Sequence, residues 1–168
     1  MITIGVTGGV GAGKSTVFRL IMGQYEPWHG SVKVFGVDSS AVPDSSRRRI
    51  FGYVEQKFHM IPGSVMDQVT LKDSSVSYDD AVKAAKLAGI DEIICALPEG
   101  YDTICEEGLF SQGQWQLLAI ARAVAADPAI LLLDEITANL DSETEKTVLD
   151  ALQQASEDRT VISISHRV

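Results

Sequence analysis

The stretch Ile2–Met22, ITIGVTGGVGAGKSTVFRLIM, runs from a short β-branched segment (Ile2–Thr7) through a glycine-rich turn into an apolar segment, Thr16–Met22, that stops at Gly23. That order reads as strand, loop and helix, with Gly23 as the residue that ends the helix. The turn itself, Gly8-Gly9-Val10-Gly11-Ala12-Gly13-Lys14-Ser15, fits the pattern G-x-x-x-x-G-K-[ST], and Thr16 follows it. Glycines let such a loop wrap a phosphate with its N–H groups pointing inward, and the helix N-terminus adds a favourable dipole. Lys14 is expected to reach the β- and γ-phosphates, and Ser15 to ligate Mg²⁺. The implied element is a nucleotide-binding P-loop.

A second acidic element lies far along the chain. Leu131-Leu132-Leu133-Asp134-Glu135 is an apolar run ending in two carboxylates. As a strand it delivers Asp134 to the C-terminal edge of a sheet, where it can hold Mg²⁺ directly or through water. Glu135, one residue on, is placed to polarise an attacking water, a role worth roughly 10²–10⁴-fold.

Between and around these motifs, strands and helices alternate. Ser31–Phe35 and Ile50–Glu55 read as strands, and residues 57–75 mix Pro62, Gly63 and a serine-rich patch. Ser77–Ala88 reads as a helix opened by Ser77 with Asp80 and closed by Gly89, and Asp91–Leu97 as a shorter one closed by Pro98. Gln112–Ala126 is a third, opened by a capping box of Ser111 with Gln114. Ala129–Leu133 has the continuous apolar character of a strand buried on both faces. Ser142–Ala155 reads as an amphipathic helix with Ser142 and Glu145 as its capping box and Val148, Leu149, Leu152 and Ala155 on one face; Thr160–Ser165 is the last strand. The expected fold is α/β, a P-loop NTPase (RecA-like) parallel-sheet core. It forms one domain over 1–168, with residues 1–56 and 111–168 as the core and 57–110 as a mostly helical insertion.

Composition narrows the setting. Fourteen Lys and Arg against 23 Asp and Glu give a net charge of −9, so no nucleic-acid partner is expected. The most apolar run, Leu117–Leu133, carries Arg122, Asp127 and Pro128 and is no membrane span. MITIGVTGGV has no basic n-region and does not read as a signal peptide. Cys95 and Cys105 form no disulfide framework and read as buried or incidental thiols. Arg47-Arg48-Arg49 reads as a solvated turn or helix end, and Tyr25 and Trp28 as packing residues.

Ser111-Gln112-Gly113-Gln114, ahead of Asp134, resembles the signature motif of ABC ATPases, the nucleotide-binding domains of ABC transporters. Gln56 sits where that family has its Q-loop glutamine. Asn139-Leu140-Asp141 resembles its D-loop, and His166 its switch histidine. Leu97–Thr103 is similar to a segment of exporter-type members. The resemblance implies an ATPase that binds ATP and Mg²⁺ and pairs head to tail with a second ABC ATPase domain, each ATP lying between one P-loop and the partner's signature. It implies Ser111, Gly113 and Gln114 at the partner's γ-phosphate, Asp141 at the interface, and Gln56 as a sensor of Mg²⁺ and the attacking water. His166 would hold the γ-phosphate in register with Glu135. A transmembrane permease domain or subunit would dock near Phe58–Met66 and the helical insertion, at the cytoplasmic face of a membrane.

The chain also departs from that pattern. Gln112 replaces the signature's first glycine, Phe110 its leading leucine and Trp115 the following basic residue, while Gly113 remains. The chain starts at the P-loop strand and stops at Val168, so the expectation is a domain lacking the family's adenine-stacking aromatic and closing segment. A lost stacking contact of about 1–3 kcal/mol weakens ATP binding roughly 5- to 150-fold. Two other readings follow: a truncated, non-hydrolysing domain that needs a partner, or a soluble P-loop kinase, since ITIGVTGGVGAGKSTV is similar to the opening of dephospho-coenzyme A kinases.

Overall fold

Strand β1 (Ile2–Val6) is followed by helix α1 (Lys14–Ile21), which ends where the chain must turn back on itself at Gly23. Gly23 has φ +67°, and a Cβ there would lie 2.0 Å from the Ser39 carbonyl oxygen, so both conformation and space demand glycine. The computed structural model of the chain describes residues 2–6, 14–134, 136 and 140–164, with the backbone alone for 2–6, 14 and 15.

Two short strands come next, β2 (Lys33–Val34) and β3 (Val37–Asp38), paired antiparallel. The loop between them is Phe35-Gly36, both with positive φ (52° and 82°), the signature of a two-residue type I′ hairpin. Ser31–Phe35 therefore divides into one arm of a hairpin and its turn.

Helix α2 (Asp44–Ile50) carries Arg47, Arg48 and Arg49 in its last turn, where cations complement the helix dipole. Arg48 is not solvated as a turn residue would be. It donates to the Thr70 carbonyl, to the Val69 carbonyl at 3.3 Å and to Asp73 at 3.2 Å, closing the end of helix α3 (Val65–Thr70). Residues 57–75 thus contain a helix, opened by a Ser64/Asp67 capping box.

Strand β4 (Phe51–Val54) leads to helices α3, α4 (Tyr78–Leu87) and α5 (Asp91–Cys95). The Ser77/Asp80 box opens α4 as expected, and α6 (Gln112–Val124) opens on the Ser111/Gln114 box. Strand β5 (Ile130–Asp134), helix α7 (Ser142–Ala155) and strand β6 (Thr160–Ile164) complete the chain as described. Helix α7 corrects two details. Its N-cap is Asp141, whose carboxylate accepts from the Glu143 and Thr144 amides, so Ser142 is the first helical residue and not the cap. Leu149 is half exposed, and Ala151 takes its place beside Val148, Leu152 and Ala155 on the buried face.

Among the described residues the main sheet has four parallel strands in the order β1-β6-β5-β4. The alternation of side chains along central β5 divides the interior in two. Ile130 and Leu132 pack with Phe18 and Met22 on the α1 side, while Leu131 and Leu133 join the larger cluster under α3, α4, α6 and α7. A strand covered on both faces has no polar positions, which explains the unbroken apolar run. Trp28 is 97% exposed, so it does not pack into either cluster; Tyr25 lies against the Arg19 guanidinium at the surface. Cys95 is exposed and Cys105 buried, the latter with its thiol pushed up to about 11 by burial.

Candidate nucleotide site at the sheet edge

Parallel strands bring all their C-terminal ends to one edge, and ligands of open α/β sheets bind there. The registers place Val6 of β1 and Asp134 of β5 on either side of Ile164 of β6, with Val54 of β4 beside Leu133. The chain leaves those four ends into the segments that the sequence reading singled out. Gly8–Gly13 follow β1, Glu135 follows β5, His166 comes two residues after β6, and Gln56 comes two after β4. Gly8, Gly9, Val10, Gly11, Ala12, Gly13, Glu135, Asn139 and His166 lie outside the described residues. Lys14 and Ser15 open α1, and Thr16 is exposed on its first turn.

Asp134 stands at the end of β5, half-buried, and accepts a hydrogen bond from the Tyr53 hydroxyl at 3.1 Å. Burial first, and then the Asp134 carboxylate, push the Tyr53 phenol well above its usual range, so it remains a donor. Phe18 of α1 meets the Tyr53 ring edge-on with centroids 5.8 Å apart. The helix after the glycine-rich loop thus fixes the ring that orients the Asp134 carboxylate.

The signature-like residues open α6, where Gln112 lines one cavity with Gln56. The exposed Ser111 hydroxyl accepts from the Gln114 amide at 3.3 Å, and the Gln114 side chain accepts from the Ser111 amide at 2.9 Å. Asp141 caps α7 in the same manner. Hydrogen bonding from Thr144 holds its carboxyl below the usual range. The two caps are brought near each other by Gly113, which is buried so tightly against α7 that a Cβ would lie 2.2 Å from Thr144 Cγ2. Gln56 is exposed just beyond β4, and its carbonyl accepts from the Gln116 side chain of α6 at 2.7 Å. That bond ties the sheet edge to the signature helix.

Tyr53, Gln116 and Arg122 were not among the residues picked out by sequence. Gln116 and Arg122 do leave a trace, as the polar side chains in the otherwise apolar part of α6 beyond its first turn. Tyr53 leaves none, since an alternating strand places it without saying what its hydroxyl meets.

The oxygen donors fit a hard cation of the Mg²⁺ type. Asp134 supplies a carboxylate, Ser15 a hydroxyl and Gln56 an amide oxygen. Among the described residues no group of three or more His, Cys, Asp or Glu could hold a metal by itself. A Mg²⁺ ion is commonly bound through one or two carboxylates and keeps water and phosphate oxygens at its other positions, so a set with a single carboxylate fits it.

A parallel sheet with this edge, a G-x-x-x-x-G-K-S loop after its first strand and an acidic end to its central strand defines a P-loop NTPase. A profile of the ABC transporter family matches residues 2–138, and the chain belongs to that family. It is an ATP-binding domain of the exporter-like branch. It is 40% identical over 98% of its length to the alpha-hemolysin translocation ATP-binding protein HlyB of Escherichia coli O157:H7, of which it covers 24%. It is also 40% identical over 98% of its length to the human mitochondrial iron-sulfur clusters transporter ABCB7, covering 22% of that protein. The solved structure of a bacterial Atm1-family ABC exporter with ATP bound superposes with a TM-score of 0.82 and 37% identity, over 98% of this chain and 29% of that one. The chain spans about a quarter of the length of the curated relatives it matches. Among the described residues no helix is long and apolar enough to cross a membrane.

Proposed function

We propose that the chain binds and hydrolyses Mg²⁺-ATP at the C-terminal edge of its sheet. In this reading two copies, or this chain and a related domain, pair head to tail and couple ATP use to transport through a membrane partner. The observation that carries the reading is that four parallel strands end at one edge, and that the glycine-rich loop, Glu135, His166 and Gln56 follow those ends in sequence.

The glycine-rich loop and Lys14 hold the β- and γ-phosphates, with Thr16 beside them. Ser15, Asp134 and Gln56 hold Mg²⁺, which when bound neutralises phosphate charge. Glu135 orients a water and accepts its proton as the water oxygen attacks the γ-phosphorus. The bond from that phosphorus to the bridging oxygen breaks, and ADP keeps the oxygen. His166 keeps the γ-phosphate and Glu135 aligned. Ser111, Gly113 and Gln114 present the start of α6 to the γ-phosphate on the partner, and Asp141 lies at the same interface. The helices of 57–110 and the segment around Phe58–Met66 receive the transmembrane partner at the cytoplasmic face.

Sedimentation and phosphate release test this directly. With ATP and Mg²⁺, a catalytically slowed protein should shift from 18.1 kDa to twice that mass, and release by the active protein should rise faster than linearly with concentration. ATP bound by a monomer that never pairs would sink head-to-tail action. Transfer of the phosphoryl group to a small acceptor in place of water would point to a kinase.

Tyr53 offers a finer check. Tyr53→Phe removes the hydrogen bond to Asp134 while keeping the ring against Phe18. The Mg²⁺ concentration for half-maximal hydrolysis should rise about tenfold, the lower end of what outer-shell partners of a metal ligand contribute. Nucleotide binding without Mg²⁺ should not change.

A further inference from the structure

Helix α3 ends on Thr70, and the next two residues, Leu71 and Lys72, both take positive φ (56° and 58°). Neither is glycine. A side chain with a Cβ seldom enters that region, and hardly ever at two residues running. Both side chains are exposed, so burial does not hold them there. The backbone of the turn is bonded all the same. The Leu71 amide donates to the Asp67 carbonyl at 2.8 Å, the Lys72 amide to the Thr70 hydroxyl at 3.2 Å, and the Asp73 amide to the Thr70 carbonyl at 3.2 Å.

The turn is braced from the core by Arg48 of α2. Just before the strained pair, its guanidinium donates to the Thr70 carbonyl and to that of Val69 at 3.3 Å; just after it, to the Asp73 carboxylate at 3.2 Å. It also donates to the Arg122 carbonyl of α6 at 3.3 Å. Arg48 lies in the last turn of α2, Val69 and Thr70 end α3, and Arg122 stands near the end of α6. The negative ends of three helix dipoles therefore meet at one cation. Hydrogen bonds from Ser75, and after them Arg48, hold the Asp73 carboxyl below the usual range, so it stays charged. Backbone strain of this kind persists only where the surroundings impose it.

We propose that Arg48 is a latch: it holds the strained turn at Leu71–Lys72 closed and thereby keeps the inserted helices α3–α5 docked on α2. Leu71 lines, with Arg48, Phe51 and Phe58, a groove of about 350 Å³ between the sheet core and those helices. Once the guanidinium lets go, the turn relaxes, and the helices gain freedom to swing about their seat on α6, where α3 and α4 pack. The groove then widens. A segment of the membrane partner entering the groove would press on Leu71 and so act on the latch; that consequence rests on the docking role proposed above. The latch itself does not.

The test uses the whole chain without nucleotide. Arg48→Met keeps an unbranched side chain and loses every donor. Lys72→Gly relieves one left-handed residue and gives up only an exposed ion pair to Asp67 at 3.9 Å. Amide hydrogen exchange over residues 71–76 reads the turn. It should quicken about tenfold or more in Arg48→Met, the factor of hydrogen bonds to a charged group, and slow about fivefold in Lys72→Gly. Spin labels on the exposed Cys95 thiol of α5 and on a second thiol introduced in α2 by Ser45→Cys read the swing. Their distance distribution should broaden and gain a longer component in Arg48→Met, and adding Lys72→Gly should partly reverse this. A merely lost packing contact would not be repaired by a glycine on another element. Thermal unfolding establishes that Arg48→Met folds; Lys72→Gly decides the matter if it does not. Unchanged or faster exchange in Lys72→Gly would overturn the strained turn, and wild-type exchange in folded Arg48→Met would overturn the latch. Faster exchange with an unchanged distance distribution would reduce Arg48 to a local cap and overturn its hold on the inserted helices. None of these readouts involves ATP, so their failure leaves the nucleotide site standing.

Discussion

Glu135→Gln should reduce steady-state phosphate release by about 10²–10⁴-fold, the contribution of a positioned general base, while leaving ATP-driven pairing intact. The substitution exchanges one carboxylate oxygen for an amide nitrogen of nearly the same size. The side chain then keeps its volume but no longer accepts a proton from water. In the proposed site, binding is assigned to other groups: the glycine-rich loop, Lys14 and the start of α6 would all meet phosphate oxygens that are present before reaction. Because hydrolysis would remove the γ-phosphate that is proposed to join the two copies, slowing it should also prolong the paired state. Single-turnover phosphate release and sedimentation with Mg²⁺-ATP measure the two effects on one sample. Turnover within a few-fold of wild type would remove Glu135 from the proposed chemistry, since no other group follows the end of β5 so closely.

The position of Asp134 at the end of β5 was legible in the sequence because it depends on strand order and polarity alone. A five-residue apolar run that follows Asp127-Pro128 and ends at Asp134 reads as a buried strand, and parallel strands present their C-terminal ends at one edge. The capping boxes at Ser77 and Ser111 were legible for a similar reason: four consecutive residues contain all the atoms involved. The same kind of signal, Ser64 with Asp67, marks α3, but beside Pro62, Gly63 and the serine-rich patch it did not single out a helix within the insertion. At α7 two capping patterns overlap, and Asp141, with amides of both Glu143 and Thr144 in reach, prevails over Ser142. The hairpin turn at Phe35-Gly36 was hidden because Phe is seldom found at positive φ. Tertiary contacts were beyond reach in principle. Nothing local says that Tyr53 meets Asp134, that Arg48 closes α3, or that Trp28 is left exposed.

Gly113 answers to the fold as well as to the role proposed for it. The sequence gives it one task, close approach of backbone to phosphate; the fold adds another, close approach of α6 to α7. Gly113→Ala places a methyl 2.2 Å from Thr144 Cγ2, and Thr144 lies in the first turn of α7, next to the Asp141 cap. One helix must move, and overpacking of this kind costs about 1–3 kcal/mol. For a domain of this size the thermal midpoint should fall by about 2–4 °C per kcal/mol. The same movement separates the two capped helix ends that are proposed to meet the partner, so ATP-driven pairing should weaken with it. Thr144→Ser deletes the offending methyl and leaves the hydroxyl and the amide that donates to Asp141. Combining the two substitutions therefore separates the causes. If the double variant regains both midpoint and pairing, helix packing alone accounts for the glycine. If the midpoint returns while ATP-driven pairing stays lost, the added Cβ is intolerable to the phosphate itself, and the start of α6 is a nucleotide contact.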